Sequence, residues 1–194
     1  MDHRQSPLRG FTLTELLIVV VVIGLLAAVV VPNMSSATDD AKAAKIAATV
    51  DVLRSAVSMH YTYTGRGAAE YGGPAWTQAS QHQLSMTQTT PGWKGPYIDH
   101  PLSHADNPFG NHVLVYTKFS YGKAGGGFDL LGSGSDTVTG NGQHVEFYDV
   151  PEATAKSVND MLDTGIGGNW KSTGRVEWVS SGSVLVVFLT DIPD

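Results

Sequence analysis

The sequence predicts an α+β protein: a long N-terminal helix, membrane-embedded in its first half, packed through its second half on a C-terminal antiparallel β-sheet. Three observations carry that expectation. Phe11 to Val31 is almost wholly apolar, and as a helix it would reach about 31 Å, close to the roughly 30 Å hydrocarbon thickness of a bilayer. After Ser36, apolar residues return at helical spacing. The C-terminal part alternates Gly-, Ser- and Asp-rich turns with short runs of β-branched and aromatic residues, the pattern of strands and hairpins.

Composition narrows the function classes. The chain has 194 residues and a formal net charge of -6, with no cluster of Lys and Arg, so no nucleic-acid partner is expected. It has no cysteine, which removes both a disulfide framework and a lipidated-cysteine anchor. Stability must come from packing or from a bound ion. No nucleophile elbow or paired acid motif is present, and Gly122-Lys123-Ala124-Gly125 lacks the order of a phosphate loop, so no enzyme is expected.

The N-terminus poses the first chemical question. Glu15 is the only ionisable side chain between Arg9 and Asp39, and a carboxylate at the start of an apolar helix is unfavourable unless water or a cation shares its charge. The apolar run is longer than that of a cleaved secretory signal, and Leu26-Ala27-Ala28 is embedded in further apolar sequence. Arg4 and Arg9 would hold the N-terminus in the cytoplasm by the positive-inside rule.

Arg9-Gly10-Phe11-Thr12-Leu13-Thr14-Glu15, followed by the apolar run, resembles the class III signal of the type IV pilin and pseudopilin family. The resemblance implies that prepilin peptidase cuts between Gly10 and Phe11 and methylates the Phe11 amine. Glu15 would then meet the Phe11 amine of a neighbouring subunit during assembly. Gly24 and Pro32 match the family's helix-weakening positions, as their chemistry suits. The implied organisation is a leader at 1–10, a transmembrane and assembly helix at 11–35, its amphipathic continuation at 36–64, and a pilin-like head at 65–194. The implied partners are copies of itself, related minor subunits, the peptidase and an inner-membrane assembly platform. The chain would wait in the inner membrane as a single-pass protein, its head periplasmic or extracellular, before entering a filament.

The remaining elements follow in order. Ile46, Val50, Leu53 and Val57 form one apolar stripe, with Asp39, Lys42, Lys45, Asp51 and Arg54 on other faces, so the helix should run to about His60 and end before Gly65. Tyr61 to Pro91 reads as an irregular connector anchored by Tyr71 and Trp76, with a short helix near Thr77 to Leu84. Trp93, Gly95-Pro96-Tyr97 and Asn107-Pro108-Phe109-Gly110, leading into a strand at His112 to Phe119, resemble the major pseudopilin of type II secretion. His100 and His104 have an H-x-x-x-H spacing, but Pro101 argues against a helix presenting both to zinc.

The same resemblance implies a calcium loop built from Asp129, Ser133, Asp136 and Asp149 with the carbonyl of Leu131, since calcium takes six to eight hard oxygens on a flexible loop. The sequence departs from that pattern at Gly132, Ser135 and Thr137-Val138-Thr139, and an ordinary hairpin turn fits these residues as well. Pro151 to Leu162 reads as a helix with an apolar side of Ala155, Val158 and Leu162. Gly174 to Val179 and Ser183 to Thr190 should form a hairpin, the second strand covered on both faces because Val184 to Leu189 is continuously apolar. The expected sheet has about four strands. The function expected is that of a non-enzymatic structural subunit of a type IV filament, in type II secretion. The alternatives are a pilus subunit for adhesion, motility or DNA uptake, and a non-polymerising membrane-anchored binding protein.

Overall fold

The computed structural model describes residues 11–117, 127–131, 137–139 and 142–191. The chain divides into two units, Met1–Thr38 and Asp39–Asp194. The first helix, α1 (Leu13–Thr64), contributes to both. Its hydrogen-bonded course continues through Gly24 and Pro32, so these weak positions do not break it.

In the first unit every described large apolar side chain from Phe11 to Leu26 is exposed. Among the described residues no helix is long and apolar enough to cross a membrane.

In the second unit, the residues of α1 at 39–64 bury the stripe that spacing predicts: Ile46, Val50 and Val57 are inaccessible and Leu53 nearly so, joined by Ala43 and Ala56. The helix ends in Gly65, whose φ of 65° lies in the left-handed region and whose N–H donates to the Tyr61 carbonyl at 2.7 Å. Glycine reaches that conformation without strain, which makes it a common helix stop.

The remaining strands and helix are β1 (Glu70–Gly72), β2 (Val113–Tyr116), β3 (Gly127–Asp129), β4 (Thr137–Thr139), β5 (Gly142–Phe147), α2 (Glu152–Leu162), β6 (Val176–Val179) and β7 (Val184–Asp191). They build a five-stranded antiparallel sheet in the order β1-β2-β5-β7-β6, and a separate ribbon of β3 and β4. The expected sheet of about four strands gains β1, taken from the connector. Where a short helix was expected near Thr77 to Leu84, there is only a 3-10 turn at Ala79–Gln81.

Register puts Val115, Val145, Val187 and Val176 in one row across the sheet. These side chains are buried in one core with the α1 stripe and with Ala155 and Val158 of α2. The opposite face carries Val184, Val186 and Phe188, packed with Phe128. Alternate residues of β7 therefore enter different cores, which is why Val184 to Leu189 is apolar throughout.

Polar hubs replace regular structure in the connectors. The carboxylate of Glu70, inaccessible to solvent, accepts the N–H groups of Leu84 and Ser85 at 2.9 and 3.2 Å and the Ser85 hydroxyl at 2.7 Å, and lies 2.9 Å from His82 Nδ1. Asn107 donates to the Tyr148 carbonyl at 2.7 Å and accepts the Phe109 N–H at 2.9 Å. The Asn-Pro-Phe-Gly motif thus works as a structural turn ahead of β2.

Candidate functional site

Three places in the chain bear on function: the start of α1, the loop that begins at Asp129, and the histidines of the connector. At the start of α1, Phe11 is 90% exposed. Thr12 and Glu15 form a reciprocal capping box. The Thr12 hydroxyl accepts the Glu15 N–H at 3.2 Å, while Glu15 Oε2 accepts both the N–H and the hydroxyl of Thr12 at 2.8 Å. The box satisfies N–H groups that a helix start otherwise leaves unpaired. Glu15 Oε1 has no hydrogen-bond partner among the described residues. Thr-x-x-Glu ahead of an apolar run is a sequence signal for this box, and a purely charge-based reading of Glu15 misses it. Gly10 lies outside the described residues. A Cβ built on Gly24 meets nothing within 4 Å, so nothing in the single chain requires glycine there.

The five residues proposed for calcium do not all converge. Ser133 and Asp136 lie outside the described residues. Asp129 is buried at the end of β3, and its carbonyl accepts the Gly174 N–H at 2.7 Å, beside Arg175, whose carbonyl accepts the Phe188 N–H. Asp149 instead follows β5, next to Val150, whose N–H donates to the Ser183 carbonyl. Ser183 and Phe188 are about five residues apart along β7, on the order of 16 Å in a strand. Asp149 therefore sits at the far end of the sheet from Asp129, exposed and hydrogen-bonded to Asn111 Nδ2. The reason is that the segment between them contains strand β5, which carries the chain across the sheet.

A different carboxylate lies near Asp129. Asp163, which caps the C-terminus of α2, is 7% exposed. Its Oδ2 accepts the N–H groups of Arg175 at 2.6 Å and Val176 at 2.7 Å. Gly174, at φ 90°, has no room for a Cβ against that carboxylate. Asp163 lines a cavity of about 450 Å³ together with Leu130, Leu131, Leu162, Ile166, Thr164 and Arg175. Burial raises its carboxyl above the ordinary value, against the two N–H donors and the charges of Arg175 and Arg54. Leu131, at 65% exposure, stands on the same cavity. Among the described residues no three His, Asp or Glu side chains gather to hold a metal ion.

The two histidines of H-x-x-x-H serve different neighbours. His100 Nε2 is 3.2 Å from Asp106 Oδ1, whereas His104 sits edge-on to His112 with ring centroids 4.7 Å apart.

Comparison with known proteins bears on the first of these places. Residues 8–31 match the prokaryotic N-terminal methylation motif. The chain is 28% identical over 144 residues to the type II secretion system core protein G of Klebsiella michiganensis, covering 74% of this chain and 94% of that protein. It is 40% identical over 60 residues to the core protein G of Pseudomonas aeruginosa, covering 31% of this chain and 41% of that protein. A match of 47% over 51 residues joins it to the type IV narrow pilus major component PilA5 of Thermus thermophilus, covering 26% of this chain and 44% of that protein. No solved structure gives a significant match.

Proposed function

We infer that this chain, which carries the prokaryotic N-terminal methylation motif and is homologous to type II secretion system core protein G, is a pseudopilin, a structural subunit that assembles through its N-terminal helix. The match over 74% of the chain is the observation that carries the reading. The pilus alternative rests on a shorter match covering 26% of the chain. The relatives are named as components of a secretion system and a pilus, which supports a non-enzymatic role.

The mechanism we propose uses α1 twice. The exposed apolar run is first stored in the inner membrane and then buried against the helices of other copies. Exchanging lipid for protein contacts changes little apolar burial, so packing and polar contacts decide the balance. Prepilin peptidase removes residues 1–10 and methylates Phe11, leaving a cation beside a carboxylate. Thr12 keeps its own N–H and hydroxyl after this cleavage, so the capping box survives it. Oε2 of Glu15 holds the helix start while Oε1 is open to the amine of a neighbouring copy. For the head we propose that the loop beginning at Asp129 takes calcium.

Mass spectrometry of the chain expressed with a prepilin peptidase tests the reading. The expected product begins with N-methylated Phe11, and Gly10→Val leaves the longer, unmethylated chain. Mature protein that retains Met1 overturns the assignment.

A further inference from the structure

The five-stranded sheet ends in β1 on one side and β6 on the other, and the free side of an edge strand is a template on which a strand of another chain can pair. At β1 the chain itself takes part of that place, since His82 bridges to Glu70 in antiparallel fashion. At β6 no strand does so. Val176 and Trp178 turn their N–H groups away from β7, the first donating to Asp163 Oδ2 at 2.7 Å and the second to the Lys171 carbonyl at 3.1 Å. Residues 163–175 therefore run as a strap along the outer side of β6, and the strap is held at both ends. At one end Gly174, at φ 90°, lets the chain pass so close to the Asp163 carboxylate that a Cβ has no room. At the other, Lys171 Nζ lies 2.6 Å from Glu152 Oε1 and 4.9 Å from the centre of the Trp178 ring. Between them the hydroxyl of Thr173 is 3.1 Å from the Gly167 carbonyl and 2.9 Å from that of Asn169. Ending α2 takes only the Asp163 N–H, which donates to the Asn159 carbonyl; the carboxylate serves β6.

We propose that this strap is an edge guard: Asp163 and the Lys171 carbonyl occupy the β6 N–H groups on which β6 of a second copy would otherwise pair. The strand is Val-Glu-Trp-Val, three of its four residues being strong strand formers. Two identical edges meeting antiparallel about a two-fold axis make a closed pair, which would join heads to each other instead of leaving association to α1. The inference goes beyond the filament reading, because it assigns a contact that the head is built to prevent, and it stands whether or not residues 1–10 are removed.

The test combines amide hydrogen exchange with sedimentation of the full chain in detergent, the wild type setting the baseline for any association through α1. Asp163→Ala removes the acceptor, so the Val176 N–H should exchange about tenfold faster or more, and the sedimenting mass should rise above that of the wild type as concentration increases. Asp163→Asn keeps an acceptor oxygen and should match the wild type in both readouts. Adding Val179→Lys to Asp163→Ala places like charges on the two edges and should return the mass to the wild-type value. A folded Asp163→Ala with a faster Val176 N–H and an unchanged mass overturns the guard and leaves Asp163 a local cap. Unchanged exchange, or association that persists with Val179→Lys, overturns it as well. If Asp163→Ala does not fold, Glu152→Ala decides by releasing Lys171: faster exchange at Trp178 with a higher mass supports the guard, and an unchanged mass overturns it. Loss of Phe11 processing in the peptidase experiment would overturn the filament reading alone.

Discussion

Two stretches of α1 carry large apolar side chains that meet opposite fates. Leu16, Ile23 and Leu26 are 62%, 59% and 62% exposed, whereas Ile46, Val50 and Val57 are at 0%. The difference lies in pattern. From Leu16 onward the apolar residues surround the helix, while after Ser36 a single stripe of Ile46, Val50, Leu53 and Val57 is buried, with charges and the exposed Val52 and Met59 on other faces. A stripe specifies burial against one surface, here the core shared with the sheet and α2. A helix that is apolar all round needs cover on every side, and one chain does not supply it. The contrast separates folding from assembly within a single helix.

Truncating one residue in each stretch is the strongest way to break that separation. Leu53→Ala should cost the head about 2–5 kcal/mol, lowering its Tm by roughly 5–15 °C in calorimetry or tryptophan fluorescence. Ile23→Ala should leave the head's Tm unchanged and reduce filament yield in sheared fractions. Equal loss of head stability in both variants would show that the two stretches do not work independently.

Glu15 sharpens the contrast, because its single carboxylate is assigned a cap within the chain and a charge pair between chains. Glu15→Gln keeps an acceptor for the Thr12 N–H and hydroxyl but removes the charge. Thr12→Ala removes the cap and keeps the charge. If the charge governs docking, Glu15→Gln should be processed normally and assemble poorly, with Thr12→Ala closer to wild type in sheared filament yield. The reverse ranking would make Glu15 a helix-start residue and remove its role in docking.

What the sequence disclosed divides along physical lines. Elements that bury a repeating face were legible: the stripe of α1, helix α2 within one residue of its start, and β7 with both faces covered. The three-residue strands β1, β3 and β4 were not, since a period of two cannot be established over three positions. The hub at Glu70 was also hidden, because its partners Leu84, Ser85 and His82 are set by loop geometry and not by spacing. The separation of Asp149 from Asp129 was hidden for a related reason. Counting residues along a presumed loop takes no account of strand β5 crossing the sheet between its ends.

A weaker effect is the response of the head to acid. His60 is buried against the helix end; burial lowers its pKa below the ordinary 6.5, partly offset by the hydrogen bond to the Arg66 carbonyl. That carbonyl can only accept, so Nδ1, 2.9 Å away, carries the proton. With the folded-state pKa below that of the unfolded chain, His60 takes up a proton first in the unfolded state. Its contribution to stability is complete above the ordinary value of 6.5 and declines as pH falls below it, until the folded form protonates too. The Tm of the wild type should therefore fall more than that of His60→Gln as the pH is lowered from about 7.5 to about 5.5, a window that spans the ordinary histidine range. Parallel profiles would mean that His60 contributes nothing to the acid response.

The smallest expected effect on the single chain belongs to Gly24→Ala, and it is the most selective probe of the exposed stretch. The added methyl meets nothing within 4 Å, so the chain has no steric objection to it. Alanine is the better helix former by about 0.5–1 kcal/mol, and the substitution should slightly raise helix content while leaving the head's Tm unchanged. If glycine is needed because another helix approaches it closely, or because α1 must yield there during assembly, filament yield should fall despite the more stable helix. Circular dichroism and sheared fractions on the same preparation measure both. Helix content and filament yield rising together would mean that Gly24 serves neither purpose, and would leave Pro32 as the one helix-weakening position with a claim on assembly.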